Sequence, residues 1–177
     1  MTIYNIIVAI CQNNGIGFEN KIPWYHKDDL KFFQKITKGN LNNAIIMGKN
    51  TYLSLNKPLK NRYNIVISTT LKIENELVKT FSNIDEAINF CNNSNFSEVW
   101  ICGGENIYNQ FLTNYKYLID SIYVNELDIK CKCDKFFNVL DIISKDDFFL
   151  FNKEQITYDD GLIIFNQFKH CNKDYQK

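Results

Sequence analysis

Short apolar runs alternate with amphipathic segments along the first two thirds of the chain. Residues 4–11 form an almost continuous run of apolar and β-branched side chains, which is typical of a strand covered on both faces. Residues 27–36 repeat apolar side chains at helical spacing, with acidic residues first and lysines later, as the helix dipole favours. Further strands are predicted at residues 44–47, 63–68 and 99–102, and further helices at 49–55, 84–91 and 106–112. This alternation implies crossover connections and a largely parallel sheet.

The chain changes character after residue 114. Strands are predicted at residues 121–127, 148–151 and 162–168, with no strong helix between them. Asp159, Asp160 and Gly161 form a turn signal between the last two of these strands. We therefore expect a single α/β domain over residues 1–177, with a mixed, mostly parallel central β-sheet flanked by helices and an antiparallel C-terminal strand.

Sheets of this kind bind ligands beyond the carboxyl ends of their strands, so the residues there are candidates for a site. GIGFEN at residues 15–20 begins like a dinucleotide fingerprint but lacks its third glycine, and GKNT at residues 48–51 lacks the first glycine of a P-loop. Lys49 and Thr51 nevertheless open one predicted helix, and Gly103-Gly104 precede another. Because free amides at a helix start suit a phosphate, two such positions on one sheet edge favour a dinucleotide.

Composition narrows the class of function. The 177 residues carry 20 basic and 20 acidic side chains, so the basic footprint of a nucleic-acid-binding protein is missing and a small-molecule substrate is favoured. The six cysteines form no CxxC pair with matched histidines, so no metal site is predicted. Since neither a signal-peptide pattern nor an apolar stretch of about 18 residues occurs, we expect a reduced, cytoplasmic protein that does not enter membranes.

Arg62 is the single arginine among the 20 basic residues. A planar guanidinium that holds a carboxylate through two hydrogen bonds cannot be replaced by lysine, so a binding role is one interpretation of its survival. The other interpretation is that Arg62 remains by chance on a solvated turn.

Seven segments resemble the dihydrofolate reductase family in their order and spacing, over nearly the whole chain. They are GIGFENKIPW at 15–24, DLKFF at 29–33, IIMGKNTYLSL at 45–55, PLKNR at 58–62, ICGGENIY at 101–108, and IYVNELD with CDKFF towards the carboxyl end. The resemblance implies NADPH-dependent hydride transfer to the pterin ring of 7,8-dihydrofolate, giving tetrahydrofolate for one-carbon metabolism and thymidylate synthesis. It also implies a cis peptide bond between Gly103 and Gly104 and a mobile flap over residues 15–21.

The resemblance assigns the carboxylate that binds the pterin to Asp29, five residues after Trp24. Asp28 is the competitor, but helical spacing places Asp29 on the apolar face with Phe33, while Asp28 points closer to solvent. Burial in a cleft is expected to raise the pKa of the Asp29 carboxyl. Asn125 stands where the family usually has a threonine beside this carboxylate, and its amide can donate to Asp29 and accept from a water. Trp24, Asp29 and Asn125 are therefore the predicted catalytic group.

The other site residues also follow from the resemblance. The predicted substrate residues are Ile7, Ala9, Leu30, Phe33, Leu55, Leu59, Arg62 and Cys102. The predicted cofactor residues are Ala9, Ile16, Gly17, Gly48, Lys49, Thr51, Ser68, Thr69, Gly103, Gly104, Glu105, Asn106, Ile107 and Tyr108. Arg62 falls on the family position that binds the glutamate α-carboxylate of the substrate. Judged from its apolar neighbours in the sequence alone, Tyr108 could equally well be an aromatic residue of the core with no role in cofactor binding.

Two departures from the family keep other functions open. An arginine often found beside the adenosine 2′-phosphate is missing, which leaves Lys49 and the hydroxyls of residues 68–70 to favour NADPH over NADH. A pyrimidine or pteridine reductase on the same scaffold would have no use for Arg62, whereas a silent nucleotide-binding protein is conceivable because of Asn125. We expect a monomer that binds dihydrofolate and no nucleic acid, with a functional link to thymidylate synthase.

Overall fold

The strands and helices of the computed structural model, which describes residues 2–40, 42–139, 143 and 147–171, follow the predicted alternation. The strands are β1 (Ile3–Ile10), β2 (Gly15–Gly17), β3 (Asn43–Gly48), β4 (Tyr63–Ile67), β5 (Val78–Phe81), β6 (Glu98–Ile101), β7 (Ile119–Leu127), β8 (Lys135–Phe136), β9 (Phe148–Tyr158) and β10 (Gly161–His170). The helices are α1 (Lys27–Lys38), α2 (Lys49–Ser54), α3 (Ile84–Asn92) and α4 (Glu105–Asn114), with a 3-10 turn at Lys116–Leu118. None of these helices is long and apolar enough to cross a membrane.

Eight of the strands form one sheet in the order β5-β4-β3-β6-β1-β7-β10-β9. Neighbouring strands from β5 to β7 are parallel, whereas β10 runs antiparallel to both β7 and β9. β2 and β8 pair separately as a small antiparallel ribbon. The mixed, mostly parallel sheet with an antiparallel carboxyl-terminal part confirms the predicted fold class.

The sequence pattern misses β2, β5 and β8 and ends β9 too early. β5 contains Lys79 and Thr80 and forms the edge of the sheet, so it carries no continuous apolar run. β9 is the opposite edge and continues to Tyr158 with most of its side chains exposed. Both edge strands are specified mainly by backbone pairing with one neighbour, which leaves little signal in the side chains.

Helices cover both faces of the sheet and explain the unbroken apolar run of β1. Ile6 belongs to a buried cluster with Ala87 of α3 and Phe111 of α4. Ile7, which points to the opposite face, belongs to a second cluster against which Phe33 of α1 packs. Because β1 lies near the middle of the sheet, its alternate residues are buried on opposite sides, each full burial contributing roughly 1.5–3 kcal/mol.

Candidate active site

A cleft of about 1090 Å³ opens where the parallel strands end. β3 ends at Gly48, β4 leads into Ser68, and β6 leads into Cys102, and all three residues line the cleft. Helix α1 contributes Asp29 and Phe33 to the wall. The cleft therefore lies at the carboxyl edge of the sheet, where the strand order predicts a ligand site.

All but one of the predicted site residues line this cleft. They are Ile7, Ala9, Ile16, Gly17, Trp24, Asp29, Leu30, Phe33, Gly48, Lys49, Thr51, Leu55, Leu59, Arg62, Ser68, Thr69, Cys102, Gly104, Glu105, Asn106, Ile107, Tyr108 and Asn125. The exception is Gly103, whose carbonyl accepts a hydrogen bond from the Gly48 N–H at 2.7 Å. Gly103 has a φ of 103°, and a Cβ there would lie 2.8 Å from the Tyr108 ring, so only glycine fits. The bond between Gly103 and Gly104 is cis, which confirms that prediction.

Asp29 and Asn125 form a buried polar pair inside the cleft. Asp29 lies in the first turn of α1 and is only 7% exposed, while Asn125 lies on β7 directly opposite Ala9 of β1. The Asn125 side-chain N–H donates to Asp29 Oδ1 at 2.7 Å. Burial raises the pKa of the Asp29 carboxyl, and the Asn125 hydrogen bond lowers it by a smaller amount. The carboxylate is therefore fixed in position but held in an environment that disfavours its charge.

Asp28 occupies a different environment from Asp29. Its Oδ1 accepts a hydrogen bond from Lys31 Nζ at 2.7 Å on the outer side of α1, and Asp28 does not line the cleft. The hydrogen bond from Lys31 lowers the pKa of the Asp28 carboxyl. The geometry thus favours Asp29 as the carboxylate that faces a ligand.

The carbonyl oxygen of the Asn125 side chain has no hydrogen-bond partner within the described part of the chain, although it is fully buried. Leaving such an acceptor unpaired costs about 1–3 kcal/mol. Since Nδ2 already donates to Asp29, the amide orientation is set and Oδ1 remains as an acceptor for a bound molecule or a water.

Arg62 is buried rather than placed on a solvated turn. It is 6% exposed and lines the cleft near Leu55 and Leu59. Nη1 donates to Thr37 Oγ1 at 2.7 Å, Nε donates to the Lys60 carbonyl at 3.2 Å, and the guanidinium lies 5.8 Å from the centre of the Phe33 ring. Burial lowers the pKa of Arg62 from its usual value, yet a guanidinium stays charged at neutral pH. This buried and oriented cation excludes the interpretation of Arg62 as a chance survivor on a wet surface.

The opposite end of the cleft is built from helix starts and hydroxyl groups. Gly48 precedes α2 and Gly104 precedes α4, and neither helix has a side-chain cap at its first turn. A Cβ on Gly104 would come within 3.3 Å of Thr51 Oγ1, so the two helix starts lie side by side. Lys49 Nζ donates to Thr70 Oγ1 at 2.9 Å, which adds one positive charge. Free amides, a hydroxyl and a lysine at one edge are suited to phosphate groups.

Tyr108 is at once a core aromatic and a wall of the cleft. Its ring stacks on Phe137 with a centroid distance of 4.7 Å, and its hydroxyl donates to the Ile7 carbonyl at 2.8 Å. Tyr108 is therefore a core aromatic, as one interpretation of the sequence had it, and its contact with the cofactor stays a prediction.

Several residues that line the cleft are not among the predicted site residues. Lys135 reaches it because β8 pairs with β2, a contact that joins distant parts of the chain. Gln34 lies one helical turn after the predicted residue Leu30 on α1, so helical spacing could have found it. Asn20 and Lys21 belong to the predicted flap and also line the cleft.

Comparison with known proteins agrees with this architecture. The family model described as "Dihydrofolate reductase" matches residues 3–177. A dihydrofolate reductase from Drosophila melanogaster is 35% identical over 148 residues, covering 77% of this chain and 80% of that protein. One from Heliothis virescens is 33% identical over 164 residues, covering 86% of each chain. A bifunctional dihydrofolate reductase-thymidylate synthase from Paramecium tetraurelia is 37% identical over 136 residues, 76% of this chain, which thus matches only 28% of the length of that relative.

Proposed function

The chain belongs to the dihydrofolate reductase family and reduces dihydrofolate to tetrahydrofolate, and we propose that NADPH donates the hydride and that Asp29 binds the pterin. The observation that carries this proposal is the buried Asp29–Asn125 pair, with its 2.7 Å hydrogen bond, inside a cleft whose far end consists of helix starts. The cleft volume of about 1090 Å³ lies at the top of the roughly 300–1,000 Å³ range of ordinary small-molecule sites.

Asp29 is proposed to bind the flat aminopyrimidinone edge of the pterin through paired hydrogen bonds. The side chain is pre-oriented because Asn125 holds Oδ1 on one side. A carboxylate in an apolar wall attracts the positive charge that develops as the pterin is protonated, and exclusion of water strengthens that attraction. No second acid is assigned to N5 of the pterin, which is proposed to take its proton from water.

Arg62 is proposed to bind the glutamate α-carboxylate of dihydrofolate. Nε and Nη1 bind Lys60 and Thr37, which fixes the plane of the guanidinium. A fixed plane is what bidentate binding of a carboxylate requires. This cation favours folate over a pterin without a glutamate tail, since such a substrate would leave the charge buried and unpaired.

A nicotinamide cofactor follows from the family, and the phosphorylated form is the proposed one. NADPH supplies the hydride when bound. Lys49 and Thr51 are proposed to bind its phosphates, and Ser68, Thr69 and Thr70 its 2′-phosphate. The Ser68 hydroxyl accepts hydrogen bonds from the Thr70 and Leu71 amides at 3.2 and 2.9 Å, which leaves its proton to donate. The nicotinamide end would pass Ala9, Ile16 and Gly17.

We also propose a monomeric, cytoplasmic enzyme whose product supports one-carbon metabolism and thymidylate synthesis. Two relatives, from Paramecium tetraurelia and Arabidopsis thaliana, are named as bifunctional dihydrofolate reductase-thymidylate synthases. This supports a functional link between the two activities for this chain.

Steady-state oxidation of NADPH in the presence of dihydrofolate tests the proposal. We expect saturable oxidation that depends on dihydrofolate, with a higher KM for NADH than for NADPH. Equal efficiency with NADH would refute the cofactor assignment, and equal efficiency with a pterin lacking the glutamate tail would refute the role of Arg62.

A further inference from the structure

A second group of polar side chains lies outside the cleft, at the start of α1. His26 precedes the helix, Asp28 lies in its first turn, and Asp160 belongs to the turn that joins β9 to β10. One ligand atom from each of the three side chains lies within 4.8 Å of the other two. None of the three lines the cleft that contains Asp29.

The His26 imidazole is the unusual member of this group. Its side chain is fully buried, and Nε2 lies 3.1 Å from Asp160 Oδ1. Neither ring nitrogen makes a hydrogen bond of acceptable geometry within the described residues. A buried polar atom without a partner is unfavourable, so this imidazole, one nitrogen of which lies within 4.8 Å of an oxygen of each carboxylate, needs a further partner.

We propose that His26 Nε2 and the carboxylates of Asp28 and Asp160 bind a divalent transition-metal cation of the Zn²⁺ type, with water completing its coordination. Imidazole nitrogen and carboxylate oxygen both bind Zn²⁺ at about 2.0–2.2 Å. Two such ligands in tetrahedral geometry lie about 3.3 Å apart, close to the 3.1 Å between His26 Nε2 and Asp160 Oδ1. A bound cation would give Nε2 a partner of good geometry, which it lacks among the described residues.

The surroundings of the carboxylates agree with a ligating role. Asp160 Oδ2 accepts a hydrogen bond from the Lys27 backbone N–H at 3.2 Å, which orients the carboxylate and leaves Oδ1 towards His26. The Asp160 side chain is 39% exposed and the Asp28 side chain 25%, so the cation can enter and water can reach it.

Lys31 is the competitor of the cation. Its Nζ holds Asp28 Oδ1 at 2.7 Å, but the Lys31 side chain is 61% exposed and can turn into solvent at little cost. Removal of the Lys31 charge should therefore tighten metal binding while leaving all three ligating residues unchanged.

The site was not predicted from the cysteine and histidine spacing, since Asp160 lies far from His26 along the chain. The pairing of β10 with β7 sets the β9–β10 hairpin into the sheet, and the turn of that hairpin contacts the start of α1 through the hydrogen bond from Lys27 to Asp160. A cation bound there would join this turn to the helix that carries Asp29.

Calorimetric titration of the reduced 177-residue chain with Zn²⁺ alone tests the proposal. We expect one Zn²⁺ per chain, binding at least tenfold weaker in Asp160→Asn, unchanged in the matched control Asp159→Asn, and severalfold tighter in Lys31→Gln. Retained dihydrofolate reduction would show that each variant is folded, since none of these residues lines the cleft.

Cobalt substitution identifies the ligands. Nitrogen and oxygen ligands give weak visible bands, whereas thiolates add an intense near-ultraviolet charge-transfer band. We expect no thiolate band, and we expect His26→Gln to abolish the visible bands. Absence of stoichiometric binding, equal affinity of Asp160→Asn and Asp159→Asn, or a thiolate band that places the metal on the cysteines would each overturn the proposal. Because these readouts do not depend on turnover, they fail independently of the proposed reductase mechanism.

Discussion

The two ends of the cleft present charged groups in different ways. At the end proposed for the substrate (the substrate end), Asp29 and Arg62 are buried, and each is oriented by a side-chain hydrogen bond, from Asn125 and to Thr37 respectively. At the end proposed for the cofactor (the cofactor end), Lys49 is half-buried and Thr70 is exposed, and the remaining donors are helix amides and hydroxyls. Isolated charges in a desolvated site interact strongly, whereas exposed groups each contribute little. The substrate end should therefore depend on single residues, and the cofactor end on many.

The largest effect is expected for Asp29→Asn. The amide cannot carry the charge that polarises the pterin, so turnover should fall by two to three decades, roughly 3–4 kcal/mol of transition-state stabilisation. Steady-state kinetics with NADPH and dihydrofolate measures this loss. Asp28→Asn is the matched control, and its turnover should stay near normal.

The same substitution should stabilise the free protein. Burial raises the pKa of folded Asp29, so the ionised carboxyl destabilises the fold above that pKa, and the protonated form is favoured below it. Asp29→Asn removes this penalty at neutral pH and should raise Tm, with the gain vanishing as the pH falls. A lower Tm together with lost turnover would mean that the variant is misfolded rather than chemically impaired.

Arg62→Lys should come next in size. Lysine keeps the charge but loses the planar pair of donors, so KM for dihydrofolate should rise about tenfold, near 1.4 kcal/mol, with little change in turnover. The control is a pterin that lacks the glutamate tail, for which affinity should not change. If both substrates lose affinity equally, Arg62 acts through packing on Phe33 and Thr37 and not through the carboxylate.

A matched pair at position 125 sharpens the picture of the substrate end. The Asn125 N–H lowers the pKa of Asp29, so its removal should raise that pKa further and move the acidic limb of the kcat/KM profile to higher pH. Asn125→Val removes the hydrogen-bond donor. Asn125→Thr places a side chain of nearly the same size as valine there, but its hydroxyl can still donate to Asp29. We expect the acidic limb to move in Asn125→Val and to move much less in Asn125→Thr. Identical pH profiles of the two variants would show that the hydrogen bond does not set the pKa of Asp29.

How far the sequence predicts this molecule depends on where the information lies. In β1 and α1 the pattern of apolar side chains shows which faces are buried. The positions of both elements, and the helix face on which Asp29 lies, could therefore be predicted from local sequence. β5 and the outer half of β9 belong to edge strands that are held by pairing with one neighbouring strand. Their side-chain patterns therefore contain little signal of a strand. The approach of Lys135 to the cleft comes from the pairing of β2 with β8, and the approach of Asp160 to His26 depends on the pairing of β10 with β7. Both pairings join segments that are distant along the chain, so no local pattern contains them. The role of Arg62 could be suspected because every other basic residue is lysine, but its burial against Thr37 required the fold.

The smallest effect is expected at the cofactor end, for Lys49→Gln. Lys49 holds Thr70 at 2.9 Å and is one of several donors there, so its loss should raise KM for NADPH about three- to tenfold, near 1 kcal/mol, and leave turnover unchanged. KM for NADH should change less if the lost charge faces the 2′-phosphate.

Lys72→Gln is the control for net charge, since Lys72 is exposed and lies outside the cleft, and it should leave KM and turnover as they are. Added salt should narrow the difference between Lys49→Gln and the parent, because a half-exposed charge is screened over about 10 Å at 0.1 M ionic strength. A loss of two decades at Lys49 would instead place a dominant charge at the cofactor end and contradict the contrast between the two ends.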